Sequence, residues 1–470
     1  MGRQNRRKPI SLENIEIIDT AGKGKSVAKH EGRAIFVQGG VPGDICDITV
    51  FKRRKKYWEA RIEKIHEYSK RRKEPQCEHF GSCGGCKWQN MSYSSQLEFK
   101  QSEVLNHLKR IGGIELPAHE QILASKEEYY YRNKLEFSFS NKRWLTPKEI
   151  QSGKDILEKN ALGFHVPGMF DKVIDLQNCY LQKEPSNAIR LSVKKFADEN
   201  GLTYFDIRNQ NGLLRNLMIR TSSTNNLMVL LQFFKNEKNK INLLMEHLKA
   251  SFPKITSLLY VINQKANDTI YDQKVICYNG EDHIIEEMDG LVFKIGAKSF
   301  FQTNSEQAKI LYRKVKEFAK ITTDDLVYDL YTGTGTIAQY VAKDAKKVVG
   351  IDSVEEGIKA AYENAERNNI DNCTFFTGDM RDIFSDAFIA ENGTPDVIIT
   401  DPPRDGMHKK VVEQICKIGA KRVVYVSCNS ATQARDVALM DSMYKVTQIQ
   451  AVDMFPQTHH VENIVVLEKK

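Results

Sequence analysis

The chain has 470 residues, 41% hydrophobic and 28% charged, with 12 prolines and a formal net charge of +8. This balance describes a folded globular protein and excludes a disordered or fibrous one. No run reaches the ~18 apolar residues of a membrane span, and the opening MGRQNRRKPI lacks the apolar stretch of a secretory signal. Arg6 stands where a myristoylation signal needs Ser or Thr. A cytoplasmic protein with no membrane partner is therefore expected, and a monomer is the simplest state.

Charge is concentrated early. Residues 1–73 hold 19 Lys and Arg against 9 Asp and Glu, an excess larger than that of the whole chain, as expected of a nucleic-acid grip. Within residues 1–70 the runs IEIIDT, AIFV, ICDITVFK and ARIEKI alternate with the turns AGKGKS and QGGVPGD, which predicts a small OB-like β-barrel. Its segment FKRRKKYW interleaves cations with Phe51, Tyr57 and Trp58. That pattern suits phosphates and unpaired bases, and equally the core of a barrel. Residues 71–295 read as a central α+β domain, with a helix over SSQLEFKQSEVLNHLKRIGG followed by the strand-like runs KLEFSFS, NLMIRTS, LMVLLQFF and SLLYVIN. From 296 to 470 the rhythm becomes β-then-α. The apolar runs LVYDL, KVVGID, CTFFTGD, DVIITD and RVVYVSC predict a doubly wound, Rossmann-like parallel sheet, and YKVTQIQAVDMF and NIVVLEK add two strands.

The chemistry lies at the ends of these strands. After LVYDL comes Tyr331-Thr-Gly333-Thr-Gly335, glycines that permit a tight turn toward a ligand at a helix N-terminus. Asp352 ends the next strand, where a carboxylate accepts from ribose hydroxyls. To this point an NAD oxidoreductase and an S-adenosylmethionine (SAM) methyltransferase fit equally. The fourth strand ends in Asp401-Pro402-Pro403-Arg404, a stiffened acidic loop that hydride transfer does not need and that methyl transfer to a flat base can use, so SAM is preferred. The fifth delivers Cys428 at the sheet's carboxyl edge, where a thiol of lowered pKa is expected. Carbon C5 of uracil is too weak a nucleophile to attack a methyl sulfonium. A thiolate adding to C6 activates it, and a base must then remove the C5 proton. In MFPQTHHVENIVVL, with His459 and His460, Glu462 is the expected base.

Nine cysteines in a reducing compartment do not predict a disulfide framework. Cys77-x5-Cys83-x2-Cys86 has ligand-like spacing, and Cys179 is the nearest later candidate for a fourth ligand. Zinc and an iron–sulfur cluster both accept such a set.

Jointly these motifs resemble the RNA uracil-5-methyltransferases that act on 23S ribosomal RNA, over nearly the whole chain. GRAIFVQGGVPGD is similar to their TRAM domain, CEHFGSCGGCKWQ with Cys179 to their [4Fe–4S] ligand set, and FFQTN, DLYTGTGT, GIDSVEEGIKAA, TDPPRDG, VYVSCNSAT and DMFPQTHHVENIVVL to their catalytic motifs in order. The resemblance implies SAM contacts at Gln302, Tyr331, Asp352 and Asp401, with Asp379 near the adenine. It implies Cys428 as nucleophile, Glu462 as base, and Phe300 or Phe301 stacked on a flipped target base. Asp352 stands where the family often has Glu, Thr332 where Cys is common, and Ser430 where Pro is usual. The last departure is expected to loosen the Cys428 loop. A tRNA uracil-5-methyltransferase is the near alternative to the rRNA enzyme; a non-catalytic RNA-binding protein, like the NAD oxidoreductase, is a rival of another class.

Overall fold

The computed structural model describes residues 9–153 and 158–470. Part of the basic run counted above, residues 1–8, lies outside them.

Five strands, β1 (Ile10–Ala21), β2 (Lys25–His30), β3 (Arg33–Gln38), β4 (Ile45–Arg53) and β5 (Tyr57–Glu67), close into a barrel in the order β1-β2-β3-β5-β4. Alternate residues point inward. Ile15, Ile17, Ala28, Ile35, Val37, Cys46, Ile48, Val50 and Ala60 thus form its core. The GGVPGD turn is anchored by Asp44, whose fully buried carboxylate accepts from Arg72 Nε at 2.7 Å and from the Val41 amide at 2.7 Å. Of the aromatics in FKRRKKYW, Phe51 stands exposed, while Trp58 packs against the core under the Arg33 guanidinium.

The helix Tyr93–Arg110 begins at Ser92, whose hydroxyl caps it by accepting from the Ser95 amide. Its buried face bears Gln96 and Lys100. Lys100 Nζ meets Asp453 Oδ1 at 2.6 Å with both side chains fully buried, and Gln96 exchanges hydrogen bonds with Gln457. A charge so deeply buried persists only when paired, so this helix is bonded to the segment just before Glu462.

The central sheet comprises β6 (Lys134–Ser140), β7 (Ala161–Val166), β8 (Met169–Asp175), β9 (Leu214–Thr221), β10 (Leu227–Phe233), β11 (Ser257–Ile262) and β12 (Val275–Gly280), in the order β12-β11-β10-β9-β6-β7-β8. Odd-numbered residues such as Leu135, Phe137, Leu217, Ile219, Val229 and Leu231 face a core closed by the helices Ser186–Glu199 and Lys238–Ser251. The hairpin β13 (His283–Met288)–β14 (Leu291–Gly296) follows. Its Ile284, Met288, Phe293 and Ile295 pack into the core of the next sheet, and Val104 and Leu108 of the helix Tyr93–Arg110 pack on that sheet's other side. Packing therefore crosses the linear division expected at residue 296.

The last sheet comprises β15 (Leu326–Leu330), β16 (Lys347–Asp352), β17 (Cys373–Thr377), β18 (Val397–Thr400), β19 (Arg422–Ser427), β20 (Tyr444–Val452) and β21 (Glu462–Lys469), ordered β17-β16-β15-β18-β19-β21-β20. The first five are parallel and β21 runs antiparallel to β19. One apolar layer covers each face. The strand order reverses beside β15, and doubly wound sheets bind ligands at such a point, beyond the strands' carboxyl ends.

Candidate active site

The turn after β15 is built for a close approach. Tyr331, Gly333 and Gly335 all have positive φ, 65°, 58° and 74°. A Cβ on Gly335 would stand 2.9 Å from the Ala361 Cβ and 3.0 Å from the Phe375 ring, so both conformation and space require glycine there. Asp352 orders this turn. Its Oδ2 accepts from the Gly333 amide at 2.9 Å and its Oδ1 from the Val354 amide at 2.8 Å, leaving a lone pair on each oxygen for a hydroxyl. Tyr331 is half-buried in reach of Asp352, Asp379 and Asp436; burial first, then these charges, push its hydroxyl up to about 12. Asp379 caps the helix Met380–Ile383 and pairs with Arg381, which holds its carboxyl well below the usual range.

On the other side of the switch point the structure brings Asp401, Cys428 and Glu462 together. Asp401 follows β18, Cys428 follows β19 and Glu462 opens β21. Burial first, then the Glu462 and Asp401 carboxyls, push Cys428 up to about 11 against the opposing pull of Arg404. The lowered thiol pKa expected from the helix start is not found, because burial and two acids outweigh one arginine. Glu462, only 5% exposed, is raised well above the carboxylate range by burial and by Asp401. Asp401 itself rises to about 7, from burial and from Asp329.

The two loops are held as one piece. Asn429 Nδ2 donates to the Arg404 carbonyl at 2.9 Å and Thr432 Oγ1 to the same oxygen at 3.1 Å. Gly406, at φ 76°, lies where a Cβ would meet Asp436 Oδ2 at 2.6 Å, and that carboxylate accepts from the Met407 amide and the Tyr425 hydroxyl. Ser430 does not leave the Cys428 loop loose: its hydroxyl lies 2.8 Å from His107 Nδ1 on the helix Tyr93–Arg110.

Gln302 is buried, and its side chain meets the Tyr312 hydroxyl, which lies in the field of Asp401, Asp329 and Glu462. Tyr312 and Asp329 were not among the residues expected from the sequence. Tyr312 sits in the amphipathic helix Ser305–Ala319, where it reads as core. Asp329 interrupts the apolar run LVYDL, a signal that a buried acid has a task. Its Oδ2 accepts from Thr332 Oγ1 and the Ala338 amide, while Oδ1 is buried without a partner. Of the two candidate stacking rings, Phe301 is packed in the core against Phe293, whereas Phe300 is 68% exposed. His459 and His460 lie 4.1 Å apart and are depressed to about 4 and about 3, by burial first, so both are neutral.

Cys77, Cys83, Cys86 and Cys179 all line one small cavity. Among the described residues no three His, Cys, Asp or Glu side chains converge closely enough to hold a metal ion. The four thiols face a shared space with Lys87 and Arg190 within electrostatic reach, a donor set and charge balance compatible with a larger all-thiolate group.

A doubly wound sheet with a glycine turn, an acid ending its second strand and a buried acid-and-thiol edge defines a SAM-dependent methyltransferase of the α/β class. Comparison with known proteins carries this to a family: the family model described as tRNA (Uracil-5-)-methyltransferase matches residues 207–470, and the chain belongs to that family. It is similar to an uncharacterized RNA methyltransferase of Bacteroides thetaiotaomicron, 52% identical over 95% of this chain and 99% of that one, and to another of Porphyromonas gingivalis, 50% identical over 96% and 99%. Among solved structures it is similar to the Pyrococcus abyssi tRNA (uracil-54, C5)-methyltransferase in complex with S-adenosyl-L-homocysteine, with a TM-score of 0.74, 28% identity and coverage of 96% and 100% of the two chains. The chain is an RNA methyltransferase. The oxidoreductase and the non-catalytic RNA-binding readings are thereby set aside.

Proposed function

We propose that this enzyme methylates C5 of a uridine in 23S ribosomal RNA through a covalent cysteine adduct. The observation that carries the reading is the meeting of half-buried Cys428 and Asp401 with buried Glu462, in one another's fields at the sheet edge. Cys428 gives its proton to water with Arg404 as the favouring cation, and its Sγ then forms a bond to C6 while the double-bond electrons move into the uracil as an enolate. The electron pair returns through C5 to take the methyl group of SAM. Glu462 removes the C5 proton; the freed pair rebuilds the C5–C6 double bond and expels the Cys428 thiolate. Glu462 acts in its ionised form, and once ionised a carboxylate of raised pKa is the stronger base for that step. Gln302, Tyr331, Asp352, Asp379 and Asp401 are assigned to SAM, whose binding places the sulfonium beside this pair.

The barrel is assigned to RNA grip, as a TRAM-like module. Cys77, Cys83, Cys86 and Cys179 are assigned to a [4Fe–4S] cluster, supported by the cavity they share. When bound it would cross-link the 77–86 loop to the segment before the helix Ser186–Glu199. Anaerobic purification should give a brown protein with iron and sulfide; a colourless protein with stoichiometric zinc overturns that assignment.

A tRNA substrate is the second reading, favoured by the tRNA (Uracil-5-)-methyltransferase family itself and by the similar Pyrococcus abyssi tRNA (uracil-54, C5)-methyltransferase. Incubation with methyl-labelled SAM and separated rRNA and tRNA decides between them. Label in 23S rRNA at 5-methyluridine is expected, and label in tRNA alone overturns the choice.

A further inference from the structure

The face of the central sheet opposite its helices does not close completely. Even-numbered residues point to this side, and Met218, Met228 and Leu230 join the neighbouring core. Beside them Lys134, Glu136, Arg220 and Gln232 line a cavity of about 240 Å³, bounded across the gap by Tyr271 and Phe300. Neither Cys428, Glu462 nor Asp401 lines it.

Asp268 and Thr269 also line it, and of the four sheet side chains just named two are spent on the fold. Arg220, 2% exposed, donates to the Gly296 and Ser299 carbonyls and so fixes the turn before Phe300. Gln232 donates to Glu136 Oε1 at 3.3 Å and accepts from Asn263. The other two are not spent. Among the described residues the Lys134 ammonium has neither a hydrogen bond nor an ion pair, and Glu136 Oε2 has no partner. Lys134 is half-buried and Glu136 is exposed at the cavity's rim, each in the other's field. A ligand presenting an acceptor to the lysine and donors to the carboxylate would engage both. Tyr271 and Phe300 are 60% and 68% exposed, two flat rings free to stack.

We propose that this cavity binds a guanine base of the RNA substrate, a nucleotide other than the uridine being methylated. Guanine presents O6 as an acceptor beside N1–H and N2–H as donors. A carboxylate only accepts and an ammonium only donates, so Glu136 takes the two N–H groups and Lys134 gives to O6. Uracil offers the carboxylate a single N–H, and adenine offers no carbonyl to the lysine. Phe300, which the family resemblance set against the target base, is assigned instead to this guanine; it lies two residues from Gln302, so occupancy of the cavity orders the segment leading into the catalytic centre. The inference rests on the chain acting on RNA.

The test uses the full chain saturated with S-adenosylhomocysteine and ligand-observed NMR titration with GMP, IMP, AMP, UMP and CMP. GMP is expected to bind tightest, with IMP, which lacks N2–H, about tenfold weaker, the worth of one charge-assisted hydrogen bond. Glu136→Gln should erase the preference for GMP over IMP, and Phe300→Ala should weaken both equally. Equal binding of all five nucleotides, tightest binding of UMP, or a preference that survives Glu136→Gln overturns the proposal. Methyl transfer to cellular RNA by the same preparation separates the two readings. Methylated RNA without a GMP preference sinks the guanine site alone, and a GMP preference without 5-methyluridine sinks the proposed reaction alone.

Discussion

At Cys428 the fold trades resting reactivity for control. A thiol pushed to about 11 is mostly protonated near neutrality and is spared oxidation, since the thiolate is the reactive form. Removing the thiol with Cys428→Ala is expected to lower methyl transfer by at least about a thousandfold while RNA and SAM affinities stay within about twofold, read by single-turnover assays and equilibrium binding. Glu462→Gln leaves addition and methylation possible but stalls proton removal. A protein–RNA adduct stable to denaturing gels should accumulate, and turnover should fall about 10²–10⁴-fold. Asp329, with Asp401, supplies a pH signature. Both hold their protons to about pH 7 in the fold, against about 4 when unfolded. A raised carboxyl pKa favours the protonated fold, so this stabilisation is complete below about pH 4 and is lost as pH rises through about 7. The thermal midpoint should fall from about pH 5 to about pH 8, and Asp329→Asn should flatten that fall. That Cys428, Glu462, Asp352 and Asp401 would lie at one edge of the sheet was legible from sequence, because each sits at a strand end; the roles proposed for them await the variants above. Tyr312 was not legible, because a tyrosine at helical spacing looks like core, and the protonation states were not, because they depend on which acids the fold brings together.

Among the elements, the helix Tyr93–Arg110 and the helix Ser430–Met440 meet through His107 and Ser430. Ser430 is the first residue after the cap Asn429, a position that tolerates proline because its amide is unpaired there. Ser430→Pro is therefore expected to keep the fold and lose only the His107 bond. Both it and His107→Ala should slow methyl transfer about two- to fivefold, the scale of one hydrogen bond, with the KM for SAM unchanged; steady-state kinetics of the two variants and their double mutant check whether the effects coincide. The parallel strands β15 to β19 were legible because strands buried on both faces read as unbroken apolar runs. Those of the central sheet were read unevenly. β6, β9, β10 and β11 were visible, whereas β7, β8 and β12 mix charged or exposed residues into short segments at the sheet's margins. The helix Ser186–Glu199 follows Pro185, carries no side-chain cap and went unread.

Over the whole molecule, positive charge lies far from the reacting thiol in sequence, which suits a grip that orients a long polyanion while a separate body does the chemistry. Arg54, Lys55 and Lys56 occupy the turn between β4 and β5. Reversing all three to Glu is expected to weaken RNA binding and to reduce the slope of log affinity against log salt by about two to three, leaving SAM binding unchanged; filter binding across a salt series reads both. The barrel was legible from its turn spacing, and the doubly wound body from its rhythm. Their mutual packing was not, because the Lys100–Asp453 pair joins residues 353 apart and no local pattern announces it.

The strand order has a consequence for biogenesis. β21 is the last of its sheet to leave the ribosome, yet it lies inside the sheet, between β19 and β20. Until it arrives, β19 keeps a row of unpaired backbone groups open on one side, and the residue that opens β21 is Glu462 itself. A nascent chain thus carries its thiol before the proposed base, and on that proposal translation must pass the final strand before any transcript it meets can be modified and released.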